Sequence, residues 1–194
     1  MTDVWLLGTT DNTSRVLRSN VDFFRNHFVG EHMINTWHPP EIRICNTSKK
    51  LKDFLSWMLC APVVSEHAKD ILKPLVQQYV EFLPLIKLGK VQYFAINVLC
   101  RLECLDVENS NIVRSPTDNR IIDVFEYSFL DVCFYDYPIF ILKEFNSPVF
   151  VTRTFVDRVL EERLTGAQFL DPAANQYKKM LAGIPLNVVE GALD

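Results

Sequence analysis

The side chains able to do covalent or acid–base chemistry are few here and poorly spaced for it. Ser65, Glu66 and His67 are consecutive, which supplies a nucleophile, an acid and a base. On one helical turn, however, three neighbours point in different directions and cannot relay a proton to one another. A serine ahead of a helix reads instead as its N-cap. His27, His32 and His38 lie five and six residues apart, a spacing that neither a strand face nor a helix face gathers around zinc. Cys45, Cys60, Cys100, Cys104 and Cys133 contain no C-x-x-C pair. They sit in apolar stretches with no adjacent base to lower a thiol pKa, so free and mostly buried thiols are expected.

The chain has six glycines, none in a G-x-G-x-x-G, G-x-x-x-x-G-K or G-x-S-x-G arrangement. No phosphate cradle and no nucleophile elbow is therefore expected. The expectation is no catalytic, cofactor or metal residue. The alternatives are an enzyme with an unfamiliar site, in which His67 near Asp106 or Glu108 is the first suspect, and a non-catalytic regulatory or structural subunit.

One chemical feature stands out. Asp106, Glu108, Asp118, Asp123 and Glu126 form the most acidic part of the chain, around one predicted loop. The bland reading is a solvated surface. The sharper one is a docking surface for a basic protein, where charge steers encounter more than it adds affinity. The formal net charge of −4 argues against nucleic acid, which demands a basic stripe.

These side chains must be held by a fold. At 194 residues and 48% hydrophobic composition, a core needs no disulfide staples. The 14 Phe, 6 Tyr and 3 Trp are expected to fill it. A single domain over residues 1–194 is expected, with 1–40 as an N-terminal elaboration reading poorly as regular structure. There, the apolar run 4–7 gives way to a loop, and Val21, Phe23, Phe24 and Phe28 suggest a short strand or helical turn. A strand is predicted over 41–45 and a helix from Thr47 or Ser48 with Leu51, Phe54, Leu55 and Met58 on one face. A short strand follows over 61–64. Ser65 caps a second helix with Ala68, Ile71, Leu72 and Leu75 inward, which Pro74 should end or kink.

Residues 79–105 read as a long hairpin turning at Gly89-Lys90, its second strand running on to Leu105. A polar loop over 106–119 and a strand over 121–127 come next. Strands at 139–142 and 149–151 flank a turn at 146–148. Thr152 caps a third helix carrying Phe155, Val156, Val159 and Leu160, Gly166 stops it, and 167–170 form a last strand. The tail from Asn175 reads as a docked helix. The predicted class is α+β: mostly antiparallel sheet with a long central hairpin, packed on two or three helices. The start, Met-Thr-Asp-Val-Trp, lacks the features of a signal peptide, and no window reaches the ~18 apolar residues of a membrane span. A cytoplasmic location is expected.

An ordered series of short motifs adds to this reading. It runs V-V-S-E-H-A-K-D-I-L from Val63, V-E-F-L-P from Val80, Y-F-A-I-N-V from Tyr93 and L-E-C-L-D-V-E-N-S from Leu102. It continues with I-F-I-L from Ile139, P-V-F-V-T from Pro148 and L-T-G-A-Q-F from Leu164. Over roughly residues 41–170 the series resembles an immunity-domain family of bacterial polymorphic toxin systems, the myxobacterial type once labelled a domain of unknown function. The resemblance implies a small cytoplasmic binder that neutralises a cognate protein toxin, and it carries over no catalytic residue. Ser65, Asp106, Ser110, Phe150, Gly166 and Phe169 occupy recurrent positions of the pattern, which cap, turn and core roles explain. Oligomeric state and the toxin's identity do not follow from it.

Overall fold

A computed structural model describes residues 3–10, 15–18, 28–45, 51–57, 61–85, 87–130 and 136–174. Strands β1 (Val4–Thr9), β8 (Arg101–Leu102), β11 (Ile139–Leu142), β12 (Val149–Thr152) and β13 (Ala167–Leu170) form a sheet ordered β13-β1-β12-β11-β8. A six-stranded sheet runs β3-β2-β4-β5-β7-β6, from β2 (Arg15–Arg18), β3 (Ile42–Cys45), β4 (Phe54–Trp57), β5 (Val63–Ser65), β6 (Val80–Pro84) and β7 (Tyr93–Val98). A separate hairpin pairs β9 (Asn111–Arg114) with β10 (Ile121–Glu126). The described helices are α1 (Glu66–Val76) and α2 (Arg153–Glu161), besides a 3-10 turn at Ile34–Thr36. Among the described strands only β2 with β4 and β8 with β11 pair in parallel; this is the expected α+β class.

Alternation along each strand sorts side chains into three apolar layers. Trp5, Ile139, Ile141, Val149 and Val151 face a central cluster, which Phe54, Val64, Ile96 and Val98 enter from the other sheet. Both helices add to it, through Ala68, Leu72 and Val76 and through Phe155, Val156 and Val159. The intervening residues Val4, Leu6, Phe140, Leu142 and Phe150 face outward, where the hairpin and its approach segment cover them with Cys104, Leu105 and Val124. On the far side of the six-stranded sheet, Leu55, Val63, Leu83, Tyr93 and Ala95 are covered by Phe28, Met33 and Trp37.

The helix expected around Leu51 to Met58 is a strand at Phe54–Trp57. Phe54 and Leu55 are adjacent and both fully buried, yet they enter different clusters. A strand sends neighbours to opposite faces, whereas a helix would keep them within one face. Burying each side chain contributes roughly 1.5–3 kcal/mol, which outweighs local helix preference. The expected cap at Thr47 or Ser48, the residues 21–24 and the tail from Asn175 lie outside the described residues.

Other boundaries also move. The run at 4–7 is β1, inserted between β12 and β13, not a prelude to loops. Pro74 neither ends α1 nor stops it early, because only its last turn remains, and Val76 is fully buried. The strand expected to reach Leu105 ends at Val98, and Arg101–Leu102 joins the other sheet. The loop expected over 106–119 contains β9. Thr152 occupies the N-cap position of α2 without capping it, its hydroxyl donating to the Tyr137 carbonyl at 3.1 Å. The chain leaves α2 through Arg163 at φ 53°, well before Gly166.

The covering segment is pinned by Arg101, whose guanidinium donates to the carbonyls of Val29 (2.6 Å) and Lys143 (2.6 Å) and to Asn146 Oδ1 (2.8 Å). Gly30 passes beneath it at φ +79°, where an added Cβ would meet Arg101 Cδ at 2.7 Å. Gly30→Ala combines left-handed backbone strain with displacement of a triply bonded arginine. It is expected to lower stability by about 1–3 kcal/mol, seen as a fall in Tm; an unchanged Tm would contradict this account.

Candidate functional site

Two places gather polar chemistry, and the first is built around Asp53. It immediately precedes β4, and Ser65 and His67 stand at the start of α1. The pairing of β4 with β5 brings these segments together. Ser65 Oγ donates to Asp53 Oδ1 at 2.8 Å, and His67 Nδ1 lies 3.3 Å from the same oxygen. Thr165, in the segment leading to β13, donates to Asp53 Oδ2 from its amide (2.9 Å) and its hydroxyl (2.8 Å). Partial burial pushes the Asp53 carboxyl up, but the hydrogen bonds from Thr165, Ser65 and His67 outweigh it and hold the pKa below its ordinary 3.8. Burial, with the Asp53 charge as a second cause, pushes the Tyr93 phenol up to about 12.

A serine, a histidine and an aspartate therefore meet, though in an order unsuited to nucleophilic attack. A relay needs the hydroxyl bonded to the imidazole and the imidazole to the carboxylate. Here Ser65 gives its proton to the carboxylate and accepts the Ala68 amide at 3.1 Å as the N-cap of α1. The group is a clasp between the six-stranded sheet and the segment entering the five-stranded one. The pairing expected in the enzyme alternative is not formed: His67 turns to Asp53 rather than to Asp106 or Glu108. Sequence spacing could not reveal the partnership of Asp53 with Thr165, which are far apart along the chain.

The remaining histidines follow local needs. His32 Nδ1 lies 3.0 Å from Glu81 Oε1, and His38 Nδ1 lies 2.9 Å from the Thr36 carbonyl. Glu81 Oε2 also accepts the Met33 amide (2.8 Å) and Asn97 Nδ2 (3.0 Å). This second clasp holds the covering segment to β6 and β7. Among the described residues no three His, Cys, Asp or Glu side chains come together as a metal site. Among the described residues Cys100 and Cys104 form no disulfide, and burial pushes the Cys100 thiol up to about 11.

The second place is the acidic hairpin, where the five carboxylates have different surroundings. Asp106 builds the turn into β9: Oδ1 accepts the amides of Glu108 and Asn109 (both 3.2 Å) and Oδ2 accepts Asn109 Nδ2 (2.7 Å). The side-chain bond from Asn109 is the first cause of its lowered pKa. Asp118 lies in the hairpin turn, its Oδ2 3.2 Å from Arg120 Nε. Asp123 and Glu126 sit on β10, both half-buried, while Glu108 and Asp118 are exposed. Asp123 Oδ1 accepts the Val124 amide at 2.9 Å. Burial first, and the charge of Asp123 second, raise the Tyr127 phenol. The structure thus arranges all five around one hairpin but uses Asp106 for shape.

The hairpin is anchored by rings. Phe150 stacks on Phe140 at 5.4 Å and meets Tyr127 and Phe129 edge-on at 5.1 and 5.2 Å. Leu105 bridges to Phe129. A rigid apolar seat therefore carries a polar, acidic projection.

Together these features define an α+β protein of mostly antiparallel sheet whose polar clasps serve architecture and whose charge gathers on one hairpin. No helix among the described residues is long and apolar enough to cross a membrane. Comparison with family models matches residues 35–174 to the immunity protein family Imm11, and the chain belongs to that family. Comparison with curated proteins gives no match. The matched span begins after β1, yet β1 fills the sheet between two strands that lie within it.

Proposed function

We propose that this chain neutralises a cognate protein toxin of a bacterial polymorphic system by binding it, without catalysis of its own and in the cytoplasm. The family match over residues 35–174 carries the reading. The polar side chains support it: in the Ser65–Asp53–His67 group the hydroxyl donates to the carboxylate rather than to the imidazole, which suits a clasp rather than a relay. The hairpin is the proposed binding surface, with Glu108, Asp118, Asp123 and Glu126 facing a basic partner. Asp106 contributes by holding the turn. Affinity in such a complex is concentrated in a few anchors, with charge raising the association rate.

The test is co-expression with the toxin domain encoded beside its gene. The expected result is rescue of growth together with a stoichiometric complex. Rescue without a complex would point to enzymatic modification of the toxin, and neither rescue nor complex would end the proposal.

A further inference from the structure

An open groove of about 520 Å³ lies between the hairpin and the β11–β12 turn, lined by Arg120, Ile121, Ile122, Glu144 and Phe145. Ile122 is 48% exposed, whereas Ile121 and Phe145 are half-buried, packing against the outer apolar layer. The floor is therefore fixed by the same seat that holds the hairpin, and one large aliphatic side chain stands free above it.

Charge identifies the occupant. Residues 103–130 hold six carboxylates and two arginines. That segment carries a net charge of −4, the formal charge of the whole chain; acids and bases elsewhere balance. The cations bordering the groove are already engaged, Arg120 with Asp118 at 3.2 Å and Lys143 with Glu103 at 2.8 Å. Glu144 adds a further carboxylate to the rim.

We infer that this groove is the anchor point for the toxin: it receives an apolar side chain flanked by lysine or arginine, Ile122 and Phe145 contacting the apolar group and Glu144 the basic flank. This rests on the reading of the chain as a toxin-binding protein and says where that contact is centred. An apolar centre inside a charged rim is the arrangement that yields tight, partner-specific association.

The experiment titrates the full chain calorimetrically with the purified, catalytically inactivated toxin domain from the neighbouring gene. Ile122→Glu and Glu144→Lys are compared with Glu161→Lys on the exposed side of α2, each first checked for an unchanged Tm. Ile122 and Glu144 are exposed, so either variant keeps the fold. Each groove variant is expected to weaken binding on the order of thirtyfold or more, the loss of one hot-spot anchor, with the control unchanged. Wild-type affinity should also fall as salt is raised.

Tight wild-type binding that both groove variants retain would overturn the groove while leaving the toxin-binding reading intact. No binding by the wild-type chain would overturn that reading and the groove with it. Sedimentation velocity of the chain alone supplies the last arm: a dimer that Ile122→Glu converts to monomer would assign the groove to a second copy and overturn the inference.

Discussion

Phe150→Ala is expected to remove about 3–5 kcal/mol of stability, the range for truncating a fully buried phenylalanine. Phe150 has no exposed surface and touches rings on three sides, Phe140 within its own sheet and Tyr127 and Phe129 at the base of the hairpin. Sheet strands on one side cannot collapse into the void without breaking their ladder, so the lost contacts are not regained. The loss should be uneven. Hydrogen exchange in Asn111–Arg114 and Ile121–Glu126 should accelerate more than in β11 and β12, because among the described residues the hairpin shares no ladder with either main sheet and packs on the layer these rings build. Urea unfolding measures the total; a loss under 1 kcal/mol would mean that the rings do not seat the hairpin. Phe150→Leu, closer in volume, should cost much less.

Asp53→Asn is the second large effect, expected at about 1.5–3 kcal/mol, the range for hydrogen bonds to a charged group. The carboxylate accepts from Thr165 twice and from Ser65, with His67 alongside, and its side chain is only 18% exposed. An amide fills the same space but turns an NH2 group toward one set of donors, either the buried Ser65 hydroxyl or the amide and hydroxyl of Thr165, and removes the charge that strengthens the bonds that remain. The same group sets an acid limit. The folded pKa values of Asp53 and Glu81 lie below the ordinary 3.8 and 4.5. Their stabilisation is therefore complete above those ordinary values and is lost as pH falls through the lower folded ones. In wild type the stability should begin to drop below about pH 4.5, and Asp53→Asn should flatten part of that drop. An identical acid profile in the two proteins would refute the clasp.

The helix α1 was legible because its signals are local: Ser65 in cap position, then Ala68, Ile71, Leu72 and Leu75 on one face, of which Ala68 and Leu72 are fully buried and the other two pack against the same cluster. The hairpin of β6 and β7 and the strands at 139–142 and 149–152 were legible for a similar reason, as apolar runs bounded by turns. What local signals could not show was pairing. Phe54-Leu55 has helical and strand readings of equal local merit, and only Val63 and Val64 across the ladder decide between them. Arg101-Leu102 leaves the hairpin strand because Ile141 and Leu142 supply another partner. The acidic residues were legible as a cluster, but the turn-building task of Asp106 depends on backbone amides that composition does not reveal. The groove beside them joins residues 120–122 to 144–145, and no spacing rule connects those segments.

The place of β1 has a consequence in time. Val4 pairs with Thr152, and Thr9 with Ala167, so the first described strand waits for nearly the last described ones. Until β12 and β13 leave the ribosome, Trp5 has no sheet to enter, and the outer layer that seats the hairpin lacks Val4 and Leu6. Closing so long a loop is slow relative to local pairing. The five-stranded sheet is thus completed late in folding, and the apolar layer that seats the hairpin is completed with it.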